Sequence, residues 1–137
     1  MATKINATLT FDGGGNASVA CYGSYRIELS NFDVIEAARI PLREAHTSNE
    51  AEYMTLEAAL KDLVSHLRLS RIPPSSVVLK VYGDSQLVVR QINGRYRCKE
   101  PRMFALCERV CTLLNCFNAA TKVDWHPRCK SVKAFGH

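Results

Sequence analysis

Apolar and polar positions alternate along residues 4–12, KINATLTFD, where Ile5, Ala7, Leu9 and Phe11 interleave with Asn6, Thr8 and Thr10. That period of two predicts a half-buried strand. Asp12-Gly-Gly-Gly-Asn16 ends it in a turn. The alternation resumes over 19–29 (Val19, Cys21, Tyr25, Ile27, Leu29), breaks at Ser30-Asn31, and returns in a third strand over roughly 32–42. Such short connections predict an antiparallel meander.

The period then changes. Thr47-Ser-Asn-Glu50 has the form of a capping box, and Leu56, Leu60, Leu63 and Leu67 recur at helical spacing to about Leu69. Arg71-Ile-Pro-Pro-Ser-Ser stops that helix. A fourth strand is expected over 77–82 and a short helix over 85–92, closed by Asn93-Gly94. Pro101 suits the first turn of a further helix, whose stripe is Met103, Leu106, Val110, Leu113 and Phe117. Residues 121–125, TKVDW, read as a last strand. Three meandering strands followed by alternating helices and strands predict a mixed sheet of the α/β class. If the first long helix crosses over, strand four lies parallel to strand one.

Composition changes little in this picture. The chain has 137 residues, 47% hydrophobic and 23% charged, the make-up of one soluble globular domain over 1–137. No apolar run is long enough to span a bilayer. The N-terminus lacks an apolar secretory core, so a cytoplasmic protein is expected, with no membrane partner. Cys107 and Cys111 lie one helical turn apart, but no second pair completes a structural zinc set, and the six cysteines read as free thiols. A net charge of +5 permits a polyanionic partner without requiring one.

The candidate chemistry lies at element ends. Asp12 ends strand one and Asp84 ends strand four. In parallel neighbours both carboxylates stand at the sheet edge where ligands of α/β sheets bind. Glu52 lies four residues before Leu56, so it extends a buried stripe, an expensive place for an unpaired carboxylate. Taken singly, Asp12 could start a glycine turn, Asp84 cap a helix and Glu52 favour a helix dipole. Together they repel, and a proton or a cation must relieve them. Hard divalent cations select oxygen ligands. Two of them on a few carboxylates can clamp the attacking and leaving oxygens of an in-line displacement at phosphorus.

TLTFDGGGN, TSNEAEYMTLEAAL and VYGDSQLVVRQINGRY, in this order and spacing, resemble type 1 ribonuclease H, in its prokaryotic branch; KEPRM at 99–103 continues the likeness. The resemblance runs from about Ala7 to Arg128. It implies a five-stranded mixed sheet of order 3-2-1-4-5 flanked by helices, and endonucleolytic hydrolysis of the RNA strand of an RNA/DNA hybrid with Mg²⁺ or Mn²⁺. It implies that Asp12, Glu52 and Asp84 are three of four metal-binding acids. It places Asn16, Asn49, Ser85 and Gln86 against the hybrid's minor groove, where 2′-hydroxyls distinguish RNA from DNA. Arg95, Arg97, Lys99 and Arg102, around Tyr96, form a basic loop expected to hold phosphates of the DNA strand; a solvated loop is the alternative.

The resemblance fails at the end of the chain. The family reads His-Val-Pro-Arg, then Asn, then Ala-Asp at the start of a final helix. Here Trp125-His126-Pro127-Arg128 is followed by Ser131 and Ala134-Phe135, so Phe135 stands where the fourth acid belongs. The final helix is expected to be missing, exposing a face open to self-association. His137, a neighbouring chain, or three acids with the scissile phosphate are the three ways to complete the site. His126, offset by one residue from the family's histidine, is the candidate for proton transfer or else a solvent-facing loop residue. An impaired domain that holds hybrid or double-stranded nucleic acid without cutting is the competing function. A phosphate loop made by GGGN is a third, disfavoured because the glycines open a strand and not a helix.

Overall fold

A computed structural model describes residues 4–16 and 18–136. Three strands form the meander: β1 (Ile5–Gly14), β2 (Tyr22–Leu29) and β3 (Val34–Pro41). Helix α1 (Ser48–Leu69) and a 3₁₀ turn (Pro74–Ser76) lead to β4 (Val77–Gly83). Then come α2 (Gln86–Ile92), α3 (Pro101–Leu114), β5 (Lys122–Trp125) and α4 (Arg128–Phe135). The sheet order is β3-β2-β1-β4-β5, with β1 antiparallel to β2 and parallel to β4. The crossover through α1 makes β1 and β4 parallel neighbours, as the sequence predicts.

The period-two pattern decides which face is covered. Ala7, Leu9 and Phe11 of β1 are buried, and α1 lies over them with Leu56, Leu60, Leu63 and Leu67 fully enclosed. Met103, Leu106 and Val110 of α3 pack alongside α1. Asn6 and Thr8, on the opposite parity, are exposed. Gly23 of β2 lets α1 come this close, because a Cβ there would fall 1.8 Å from Thr55 Oγ1. Thr47 caps α1, its hydroxyl oxygen accepting from Glu50 N–H at 3.1 Å, and Glu50 Oε1 in turn accepts from His46 N–H.

Two boundaries depart from the sequence reading. β2 starts at Tyr22 and not near residue 19, because Asn16 Oδ1 accepts from both Ser18 and Val19 N–H and holds those residues in the turn. The final helix, expected to be missing, is present as the eight-residue α4. Its signal was absent from the apolar pattern, since Ser131 is its one buried residue. Gly136 closes it in the left-handed conformation at φ 75°, its N–H donating to Val132 C=O. The premise for self-association through a bare C-terminal face is thereby removed. Among the described residues no helix is long and apolar enough to cross a membrane, and all six cysteines are free thiols.

Candidate active site

Thr10 pairs with Tyr82 across the parallel β1–β4 ladder. Two residues further along each chain stand Asp12 and Asp84. Strand alternation turns Asp12 away from α1, so Glu52 must reach it around the sheet end. Gly13 makes this possible: a Cβ there would lie 2.6 Å from the Glu52 backbone nitrogen. With no Cβ, the first turn of α1 rests directly on β1. One carboxylate oxygen from each of Asp12, Glu52 and Asp84 then falls within 4.8 Å of the others. Asp12 and Glu52 are buried and Asp84 is half-buried.

Three acids so close cannot all be ionised without compensation. Burial, then the nearby Asp84, raises the Asp12 carboxyl from 3.8 to about 6; a hydrogen bond from Glu52, the Arg128 charge and the Gly13 N–H partly offset this. Glu52 is pushed well above the usual carboxylate range, by burial first and then by Asp12 and Asp84. Both shifts favour the protonated form, and the Glu52 and Asp12 carboxyls hydrogen-bond each other. Glu52 Oε2 is nonetheless buried with no hydrogen-bond partner among the described residues. A buried acceptor lacking a donor, in an all-oxygen set, fits a hard divalent cation, for which Asp12, Glu52 and Asp84 are the available ligands.

The end of β5 closes one side of this cluster. Trp125 Nε1 donates to Asp84 C=O at 3.0 Å, and His126 N–H donates to Gly83 C=O at 2.9 Å. His126 is half-buried, stacked on Tyr82 with ring centroids 6.0 Å apart, and its Nε2 lies 2.9 Å from Ser131 Oγ. It is thus a held side chain beside Asp84 and not a free loop residue. Burial lowers its pKa below 6.5, Asp84 raises it and Lys130 lowers it. Ser131, Tyr82 and Arg128 went unread as site neighbours. Ser131 and Arg128 lie on the helix that the apolar pattern did not reveal, and Tyr82 reads as an ordinary strand residue.

The residues expected to face nucleic acid lie on several elements. Ser85 caps α2, accepting from Val88 N–H at 3.2 Å, and Gln86 is exposed in its first turn. Asn49 is half-buried in the first turn of α1. Asn16 is exposed, its side-chain oxygen engaged in the turn described above. Arg95, Arg97 and Lys99 are exposed on the α2–α3 loop, where Arg90 donates to the Tyr96 hydroxyl and lies over its ring at 5.2 Å. Arg102 is elsewhere, in the first turn of α3. Its Nη2 donates to Glu50 Oε1 and to Glu44 C=O, both at 2.9 Å, and so supports a buried carboxylate. Phe135 lies at the far end of α4 from Arg128, and no Asp or Glu occurs after Asp124. His137 lies outside the described residues.

Residues 27–135 match the family described as reverse transcriptase-like. The bifunctional protein Rv2228c of Mycobacterium tuberculosis is 30% identical over 125 residues, 90% of this chain and 32% of that protein. The chain thus spans about a third of the length of the curated relatives it matches. The solved N-terminal RNase H domain of Rv2228c superposes with TM-score 0.75 at 24% identity, covering 93% of this chain and 91% of that one. RNase H1 of Halobacterium salinarum gives 0.74 at 23% identity, covering 91% and 88%. LC11-RNase H1, solved in complex with an RNA/DNA hybrid, gives 0.69 at 22% identity, covering 93% and 89%. With the sheet order and the family match in agreement, the chain belongs to the reverse transcriptase-like family and has the ribonuclease H fold.

Proposed function

We propose that this domain is a divalent-metal-dependent endoribonuclease that hydrolyses the RNA strand of RNA/DNA hybrids. The observation that carries this reading is the convergence of Asp12 of β1, Glu52 of α1 and Asp84 of the turn after β4 to within 4.8 Å. Structural duty does not account for a carboxylate cluster that is buried, mutually repulsive and left with an unpaired oxygen. Mg²⁺ or Mn²⁺ held by these three acids would supply activation of water and charge stabilisation at the leaving 3′-oxygen.

The chain's own residues do the rest. Arg95, Arg97 and Lys99 grip backbone phosphates, in a salt-sensitive manner. Gln86, Asn49 and Asn16 border the cluster where sugar hydroxyls of the RNA strand pass, and Ser85 orients the Asp84 turn through its cap. His126, held by Ser131 and Tyr82, exchanges a proton near Asp84. Among the described residues no fourth acid joins these three, which leaves substrate phosphate to complete the ligand set and predicts slow turnover.

That same absence favours the second reading, a domain that holds hybrid without cutting it. A labelled hybrid incubated with Mg²⁺ or Mn²⁺, with Asp84→Asn beside the wild type, decides. Metal-dependent cutting lost in the variant supports the nuclease. Retained binding with no cutting by either protein supports the holder. Cutting that persists in the variant overturns the assignment of the site.

A further inference from the structure

Residues 93–100, between α2 and α3, are exposed at every position except Cys98. Cys98 is the point at which the basic loop is anchored inward. Its Sγ lies 4.0 Å from the Tyr53 hydroxyl, which donates to Gln91 Oε1 at 2.7 Å. The buried Cys107 of α3 belongs to the core cluster against which Cys98 and Cys111 pack. Cys98, Cys107 and Cys111 line one open groove of about 600 Å³, with Lys99 and Phe104 at its side. A small oxidant therefore has access to a groove that Cys98 and Cys107 line together across a loop–helix boundary.

We propose that Cys98 and Cys107 are a reversible dithiol–disulfide pair that fastens the basic loop to α3. Cys98 reacts first, because it is half-exposed whereas Cys107 is buried. Its thiolate attacks an oxygen of a hydroperoxide; the O–O bond breaks, water or an alcohol leaves, and Cys98 becomes a sulfenic acid. The Cys107 sulfur then gives up its proton and displaces hydroxide from the Cys98 sulfur, which leaves as water. The two thiols lose two electrons and two protons, and the hydroperoxide takes both. A small dithiol restores the pair by exchange. Burial raises the pKa of Cys98, Cys107 and Cys111, so the bridge forms only under sustained peroxide.

The other thiols do not serve this purpose. Cys111 is one turn from Cys107 on the same helix, so a bridge between them would fasten nothing, and its Sγ contacts Ile92 C=O at 3.9 Å. Cys116 and Cys129 are exposed at the end of α3 and on α4. The consequence for binding rests on the hybrid-nuclease reading; the bridge itself does not. Cys98 already points inward in the reduced protein, so bridging keeps the loop's placement and removes its freedom. Hybrid affinity should then rise about 3- to 10-fold, the gain expected from ordering a few side chains in advance.

The test uses the full chain with Cys116→Ser and Cys129→Ser, treated with excess hydrogen peroxide, alkylated and mapped as peptides. The expected result is a linked Cys98–Cys107 peptide, lighter by two hydrogens and cleaved by dithiothreitol. It should be lost in Cys98→Ser and kept in Cys111→Ser, with slower amide exchange across 93–100. A Cys107–Cys111 bridge, or a Cys98 that remains fully alkylatable, overturns the proposal. Equal hybrid affinity in the two redox states overturns the fastening role. No hybrid binding in either state, with the bridge formed, sinks the nuclease reading and leaves the pairing intact.

Discussion

Gly13 of β1 and Glu52 of α1 touch backbone to backbone, and that contact brings the third carboxylate over the sheet edge to the other two. A Cβ on Gly13 would also meet the Ala51 carbonyl carbon at 2.6 Å, so nothing flexible can give way. Gly13→Ala must lift the first turn of α1. The expected cost is about 1–3 kcal/mol of stability, the usual range for overpacking. Hybrid cleavage should fall further than stability alone explains. Denaturant melts and cleavage rates on the same protein check this; an unchanged rate would show that Glu52 needs no such approach.

Asp12 sets a pH dependence whose sign follows from its shift. Its folded pKa of about 6 exceeds the ordinary 3.8, so the folded state holds the proton more tightly. The contribution to stability is full below about 3.8 and is lost as pH rises through about 6. By linkage it amounts to at most roughly 3 kcal/mol. Metal-free protein should therefore lose this increment between those values, and Asp12→Asn should lose much less. Mn²⁺ should restore stability at pH 7 while releasing protons, and its affinity should fall as pH drops below 6. Melting curves with and without chelator, across pH, test both parts. With three acids the Mn²⁺ should bind weakly alone and more tightly with hybrid present.

Arg102 and the α2–α3 loop should behave as two different kinds of cation. Glu50 is 3% exposed at its side chain and Arg102 is 49% exposed. Burial raises the Glu50 pKa, but the bonds from Arg102 and His46 N–H outweigh it and hold the carboxyl below its usual value. Arg102→Ala leaves that charge without its guanidinium partner. The variant should melt at a lower temperature, by less than the loss of a fully buried pair would bring, because the guanidinium is exposed. Arg95→Ala and Lys99→Ala should barely alter melting, yet each should weaken hybrid binding and lower the salt slope by about 1. A lowered slope in Arg102→Ala at unchanged stability would return it to the nucleic-acid surface.

This contrast marks how far the sequence could be read. The meander, α1 and the three acids were legible because each is announced locally: a period of two, a stripe of leucines, and a carboxylate at the end of an apolar run. Arg102 read as part of a basic loop because its partner, Glu50, is 52 residues away. Gly13 read as a turn glycine because the backbone it admits belongs to another element. The helix α4 escaped altogether, since a basic segment with one buried serine carries no apolar period, and His126 consequently lacked its partner Ser131. Local pattern finds elements and their ends; it does not reveal which distant group fills the space beside them.

The ring of His126 reports on the cluster without requiring turnover. Burial lowers its pKa below 6.5, and Lys130 adds to that, while Asp84 opposes both. The imidazole is therefore mostly neutral at pH 7 and able to accept a proton. Removing the positive neighbour in Lys130→Gln should favour protonation and raise the midpoint toward 6.5. Removing the carboxylate in Asp84→Asn should lower it further. Because the ring is held at 2.9 Å from Ser131 Oγ, Ser131→Ala should broaden the ring resonances and slow cleavage severalfold. His126→Ala should slow cleavage about 10²-fold if it carries a proton. NMR titration of the His126 ring in the metal-free wild type and these variants measures the three midpoints. Shifts of Lys130→Gln and Asp84→Asn in the same direction would contradict the placement of His126 between them.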